Sequence, residues 1–522
     1  MKKYIALSIV AATTMAFGST ASDLAAMKAE IAALKAEVAS LKKGGDAAEI
    51  KKIKKTLSEV KAHDANDNIK WNVDLRTQMD SLSYTMGGNA VYRDTGTSGS
   101  PDGGMFSVPK KRSNNSLLAT RLLLNMAYTP DNKNIFKGVL AYNKAFGADF
   151  GGNGSGAMPR GWGMDTFDWV TNEALTDNNL KVKEAYWLYM GDSIGEADTP
   201  WTVSFGRRPS TDGMLANLRN GDDEYKSPLA HMINVEFDGA SAGVNLDSIT
   251  GIPGSAVKLC LGQGSTNAAP MFSGATNYTD DENDLEDIKL AGLIITPYDD
   301  GQITSKIQIY RAWDLPGYSP SEMGLLFDGD AATNPGVMTQ AGDIDGYAWS
   351  TLVNGIGEEG ILAETKLFAS LAMSRTNPNA GQYMLGMPTG PGTHIGADAG
   401  ESKTGTSYWV GAQIPLFDGQ FGLEFNHGSK YWRPFTYGED TMAGSKLAVR
   451  GDAWETYYIY PITQALSLEA RYTYMDYDYT GSNNFFGADG VPMTMEEANA
   501  MGMGGMVVDK ANDFMFNARY RF

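Results

Sequence analysis

The chain has 522 residues, 43 basic and 62 acidic side chains, a formal charge of −19 and a pI near 4.7. That balance argues against duplex nucleic acid as a partner, because its phosphates are neutralised by Lys and Arg. Mean hydropathy is −0.29, and the one uniformly apolar run is too short to cross a bilayer as a helix, which excludes a polytopic helical membrane protein. A single cysteine, Cys260, excludes a disulfide-stapled module and Cys-based zinc or haem attachment, and no cofactor is expected.

Lys2 and Lys3 precede an apolar stretch from Tyr4 to Phe17, followed by Ser19, Thr20 and Ala21. This is the pattern of an export signal, so residues 1–21 are expected to be removed. From residue 22 the period is helical. Leu24, Met27, Ile31, Leu34, Val38 and Leu41 recur at heptad spacing, Gly44-Gly45 interrupt them, and Ile50, Ile53, Leu57 and Val60 resume the seam. Each half is too short to be stable alone, so residues 22–62 predict a periplasmic coiled-coil stalk whose partner is another subunit or its own second half folded back. Residues 63–69 are a polar linker.

After residue 70 the period becomes two. Trp71, Val73 and Leu75 alternate with Asn72, Asp74 and Arg76, and Leu122, Leu124 and Met126 with Arg121, Leu123 and Asn125. The pattern returns at Phe136 to Asn143, in Ile307 and Ile309 against Lys306 and Gln308, in Phe421, Leu423 and Phe425 against Glu424 and Asn426, and in Leu466, Leu468 and Tyr472 against Glu469 and Arg471. Short turns such as Thr129 to Asn132, Phe417-Asp418-Gly419 and Pro461 to Thr463 alternate with long polar loops near 87–115, 148–179, 209–238, 265–284, 314–343, 375–405, 432–445 and 480–508. Eight long loops and seven short turns predict an all-β transmembrane barrel of about 16 antiparallel strands over residues 70–522, with turns in the periplasm and loops outside.

The closing strand is the sharpest local signal. Phe514, Phe516, Tyr520 and the terminal Phe522 share one face, opposite Met515, Asn517, Arg519 and Arg521. Such a strand resembles the one by which outer-membrane barrels are recognised for insertion, which implies the barrel-assembly machinery as a partner. Trp201, Tyr408, Tyr458, Tyr460 and Tyr474 crowd strand ends and predict interfacial girdles.

Arg207 to Gly213, Asn217-Leu218-Arg219, Leu229-Ala230-His231, Asn426 to Trp432 and Ser445 to Asp452 resemble a family of uncharacterised porins of Gram-negative bacteria. The resemblance runs from about residue 70 to the end. It implies a barrel in the outer membrane and names no solute.

Little here points to catalysis. Histidines stand only at 63, 231, 394 and 427, and His427, after Asn426 and before Ser429, reads as a hydrogen-bonded residue at the barrel rim. Asp280 to Glu282, Asp328-Gly329-Asp330 and Asp343-Ile344-Asp345 lack the spacing of a dedicated calcium loop, so no metal site is assigned. Transport fits better, since sixteen strands leave room for an aqueous lumen. Its inward positions carry both signs, with Asp74, Glu424 and Glu469 against Arg76, Arg121, Lys306, Lys366, Arg471 and Arg519. The constriction candidates are Lys110, Lys111 and Arg112 on one loop and Arg207, Arg208 and Arg219 on another. These arginines line the pore or bind loop carboxylates and lipopolysaccharide phosphates. The expectation is a homo-oligomeric outer-membrane porin for passive diffusion of small hydrophilic solutes or ions. The alternative is a non-conducting, sheath-type barrel that docks an electron-transfer protein or peptidoglycan.

Overall fold

The computed structural model describes residues 69–522 apart from 89, 94–104, 109, 148–174, 176–178, 195–197, 273, 275, 281–284, 319–338, 438, 440, 483–485, 488 and 489. The expected signal peptide and stalk lie outside the described residues. Contacts divide the chain into two units, and the described part of the first is residues 69–71 and 126–136. In it, Asp131 Oδ1 accepts hydrogen bonds from the backbone N–H groups of Lys133 at 2.8 Å and Asn134 at 2.6 Å, closing a short turn through an Asp side chain.

The second unit, Asn72–Asn125 with Lys137–Phe522, holds a barrel. Among the described residues sixteen strands form one closed antiparallel sheet: β1 (Lys70–Met86), β2 (Lys111–Tyr128), β3 (Asn134–Ala145), β4 (Lys181–Gly191), β5 (Trp201–Arg208), β6 (Phe237–Asn245), β7 (Ala256–Gln263), β8 (Lys289–Asp299), β9 (Ile303–Tyr318), β10 (Thr339–Asn354), β11 (Lys366–Pro378), β12 (Thr404–Leu416), β13 (Gly419–Gly428), β14 (Gly451–Pro461), β15 (Leu466–Tyr477) and β16 (Val508–Arg521). Each pairs with the next, and β1 closes on β16 in a register running from Asp74 opposite Arg521 to Met86 opposite Val508. Connections alternate between short and long as expected. The tightest is Phe417-Asp418, whose φ angles of 48° and 60° are those of a two-residue hairpin turn that matches the twist of its strands.

The alternation of residue types decides which face turns inward. On β1, Asp74, Arg76, Gln78 and Asp80 are buried while Leu75 and Met79 are 37% and 40% exposed. On β16, Asp513, Asn517 and Arg519 are buried, and Phe514, Phe516, Tyr520 and Phe522 stand outside. The apolar outer band ends abruptly towards the long loops. Along β9 Ile309 gives way to Arg311, along β10 Tyr347 to Asp345, along β11 Met373 to Arg375, along β13 Phe425 to His427 and along β14 Trp454 to Asp452. Register places Arg311 beside Asp345, Asp345 beside Arg375, and His427 beside Asp452, so on each stretch of wall the change falls at one height.

Two loops are shorter than the sequence suggests. β9 runs on to Tyr318, β10 begins at Thr339 and β11 continues to Pro378, where loops over 314–343 and 375–405 were expected. The register shifts between Ala312 and Leu315, and Asp314 takes a φ of 61°. That bulge breaks the period of two and makes a continuing strand look like a loop.

With both ends of the sheet locked to each other, the folded chain should migrate differently before and after boiling in detergent and give a strand-dominated far-ultraviolet spectrum; a helical spectrum would refute the barrel. Phe522→Asp should reduce the heat-modifiable fraction recovered from membranes, because it places a charge on the outer face of the closing strand.

Candidate functional site

Circumference alone leads to the expectation of a wide, water-filled lumen. Instead, described parts of two long connections fold into the barrel and pack there. Residues 209–236, between β5 and β6, carry Met214, Leu215, Ala216, Leu218, Ala230, Met232 and Val235, all nearly inaccessible. Met214, Leu215 and Leu218 join Leu352, Phe368, Trp409 and Leu447 in an apolar cluster. Leu229, Met232, Ile233 and Val235 join a second with Tyr310, Leu315, Ile344, Trp432 and Phe435. Residues 429–450 lock against the first segment: Asn234 N–H donates to the Phe435 carbonyl at 2.6 Å and Phe435 N–H to that of Met232 at 2.9 Å.

Several wall positions are shaped for this insertion. Gly405 is one, since a Cβ there would come within 2.2 Å of the backbone of Tyr431 and Trp432. Gly346 is another, its face taken by the Tyr310 ring and the Met232 methyl. His231 is fully buried between Trp409 and Trp432, and its ring nitrogens meet Ser370 Oγ at 2.7 Å and Ser407 Oγ at 2.9 Å.

The inserted segment includes one helical turn, Ala216–Arg219, and its end faces a fan of donors from the wall. Gln413 Nε2 donates to the Leu218 carbonyl at 2.9 Å, Arg471 Nη2 to that of Arg219 at 3.1 Å, Arg519 Nη1 to that of Asn220, and Arg521 Nη1 to that of Gly221 at 3.2 Å. Carbonyls at the end of a helical turn have no partner within it, and cations near them are favourable.

Around this fan runs a network of buried ion pairs. Arg219, 1% exposed, pairs with Glu439 at 3.0 Å and Glu455 at 3.3 Å. Lys446 bridges Glu424 at 2.6 Å and Glu455 at 2.5 Å, while Trp409 Nε1 and Thr473 Oγ1 donate to Glu424 and Glu455. Nearer the short turns, Asp74 takes both arms of Arg519 at 2.8 and 2.5 Å and pairs with Arg121 at 3.5 Å. Asp222 pairs with Arg521 at 2.6 Å. Glu469 accepts from Arg471 Nε at 2.8 Å and Asn517 Nδ2 at 2.9 Å.

The structure thus brings Arg121, Arg219, Glu424, Glu469 and Arg471 into the interior together. Arg207 stands apart, pairing with Glu236 at 2.6 Å and Asp238 at 3.4 Å, and Arg208 lies over the Tyr186 ring. Lys110 and Lys111 are exposed at the loop end of β2, and Arg112 donates to the Gly505 carbonyl at 2.8 Å. Glu439, Glu455 and Lys446, central to the network, were not singled out from sequence. Glu455 is marked only by its place on β14 among aromatic residues, and Glu439 and Lys446 lie in a loop. His427 Nδ1 lies 2.7 Å from Asp452 at the loop end of β13, the rim placement its sequence suggested. Asp343 and Asp345 are engaged by Arg311 at 2.7 and 3.5 Å.

Between the inserted turn and the short-turn end of the wall lies a cavity of about 250 Å³ lined by Leu218, Asp223, Lys366, Gln413, Gln420 and Leu466, among others.

Residues 111–522 match the model of a family described as "Protein of unknown function (DUF3373)". No curated protein matches the sequence. Among solved structures, an anion-selective porin from Comamonas acidovorans aligns over 87% of this chain and 99% of its own at 10% identity and a TM-score of 0.41. The outer membrane channel DcaP of Acinetobacter baumannii aligns over 87% and 97% at 13% identity and a TM-score of 0.39. OmpF of Salmonella typhi, in complex with daunomycin, aligns over 86% and 97% at 9% identity and a TM-score of 0.40.

Removing one member of a buried ion network strands the others, a change that typically costs about 3–5 kcal/mol. Glu455→Ala should therefore lower the denaturant midpoint and expose the bond after Arg219 to trypsin in barrels that remain heat-modifiable. Gly405→Ala should displace Trp432 and alter the near-ultraviolet spectrum with the strand signal retained; an unchanged spectrum would show that the two backbones do not meet.

Proposed function

This chain belongs to the DUF3373 family of proteins of unknown function, and we propose that it is an outer-membrane porin whose aqueous path is set by the inserted segment 209–236. One observation carries the reading. A closed sixteen-strand sheet turns its apolar residues outward and its charges inward, and a segment rich in interior contacts is held among those charges. The outer band with a sharp charged margin suits lipid, where every backbone polar group of the wall must be paired within the sheet. Opposed charges at close quarters select solutes by size and sign.

In this reading the short turns face the periplasm together with the coiled-coil stalk of residues 22–62, which associates subunits or reaches peptidoglycan. The aromatic face of β16 is the recognition signal for barrel assembly, and the charged margin contacts lipopolysaccharide. Arg219, Arg471, Glu424 and Glu469 with Arg121 form the constriction. Arg207, Arg208, Lys110, Lys111 and Arg112 belong to the loop-end mouth. The packing of Trp409, Trp432 and Phe435 favours a second reading, a non-conducting barrel that docks a partner.

Conductance of the purified full chain in planar bilayers separates the two. A porin gives discrete steps, and replacing residues 213–230 with a Gly-Ser linker should enlarge them severalfold. Arg219→Gln combined with Arg471→Gln should move the reversal potential in a salt gradient towards cation preference. Absence of any step in both the native chain and the linker variant would leave the docking reading.

A further inference from the structure

The cavity beneath the inserted turn carries a specific pattern of unused polar groups. Most charges near it are spent: Asp222 holds Arg521 at 2.6 Å and Arg519 at 3.4 Å, Arg521 also donates to the Gly221 carbonyl, and the Gln413 amide donates to the Leu218 carbonyl. Two are not. Lys366, projecting inward from β11, and Asp223, on the inserted segment, both line the cavity, and neither has an ion pair within 4.0 Å among the described residues, not even with the other. Two opposite charges that share a pocket without joining leave a gap that a ligand with both signs can bridge. A third group is also open, since Gln420 Oε1 is buried and accepts no hydrogen bond. An apolar side is supplied by Leu218 from the inserted turn and by Ile459, Pro461 and Leu466 from β14 and β15, while Thr463, Gln464 and Ser467 line the short-turn end.

We infer that this cavity is a binding site for a small zwitterion with an apolar side chain, of the α-amino acid class. The carboxylate pairs with the Lys366 ammonium, the amino group with Asp223 and the Gln420 carbonyl oxygen, and the side chain lies on Leu218, Ile459 and Leu466. The pocket deepens the porin reading, on which it rests for the route by which solute arrives, yet occupancy itself needs no conduction. A simple anion would leave Asp223 unanswered and a simple cation would leave Lys366 so, and each unmade charged hydrogen bond is worth about tenfold in affinity or more.

The test is calorimetry on the full-length barrel in detergent with three probes: L-leucine, isocaproate, which lacks the amine, and isoamylamine, which lacks the carboxylate. Leucine should bind at least about tenfold more tightly than either. Lys366→Gln should abolish its advantage over isoamylamine, and Asp223→Asn its advantage over isocaproate, in variants whose heat-modifiability matches the native chain. Equal affinity for the three probes, no binding of leucine, or folded variants that discriminate as the native chain does would each overturn the assignment. Selective leucine binding by a barrel that shows no conductance would uphold the pocket and remove the porin, whereas conductance without leucine binding would do the reverse.

Discussion

Everything else in the molecule depends on the pairing of its first strand with its last. Until β1 meets β16, a sheet with an apolar outer face has two edges of unpaired N–H and C=O groups, which are costly in lipid and adhesive in water. The pairing is long and ends in reciprocal bonds between Val73 and Phe522, N–H to carbonyl in both directions at 2.9 and 3.1 Å. Closure then fixes the sense of every alternation: what points away from lipid points at the same enclosed volume. Asp74, Glu424, Glu455, Arg471 and Arg519 are thereby confined together, and each must find an opposite charge or a hydrogen bond inside.

The inserted segment is how that demand is met. It brings Arg219 to two carboxylates and Asp222 to two guanidinium groups, and it offers the carbonyls from Leu218 to Gly221 to Gln413 and three arginines. Its apolar residues do different work. Met214, Leu215 and Met232 pack on Phe368, Trp409 and Tyr310, so the segment is seated by burial and aligned by charge. The serine pair around His231 extends the same logic to a neutral group, satisfying an imidazole that is enclosed by two indoles.

Much of this was legible in the sequence. The period of two gave the faces of β1, β2, β13, β15 and β16, and the alternation of loop lengths gave the strand number, because both follow from a wall with lipid on one side. The ends of β9 and β10 were obscured by the bulge at Trp313-Asp314, which costs the pattern its period without ending the ladder. The filled interior was obscured for a different reason. A long connection has no periodicity to say whether it leaves the barrel or enters it, and the available signal was compositional: Met214-Leu215-Ala216 and Leu229-Ala230-His231-Met232-Ile233 are too apolar for a loop in water. Glu439 and Lys446 became visible only once residues 429–450 were placed, since their partners lie on β13, β14 and the other inserted segment.

The span of these interior bonds has a kinetic meaning. Arg219 reaches Glu455 across 236 positions and Arg471 across 252, while Asn220 meets Arg519 across 299. Contacts so distant in sequence form late, because the intervening chain must first be ordered. The donors that receive the inserted turn stand on β12, β15 and β16, and the carboxylate that holds Arg219 stands on β14, all within the last five strands of the wall. The bonds that hold the inserted turn therefore cannot be complete before those last strands are in place, so the filling of the interior and the shutting of the ring are coupled.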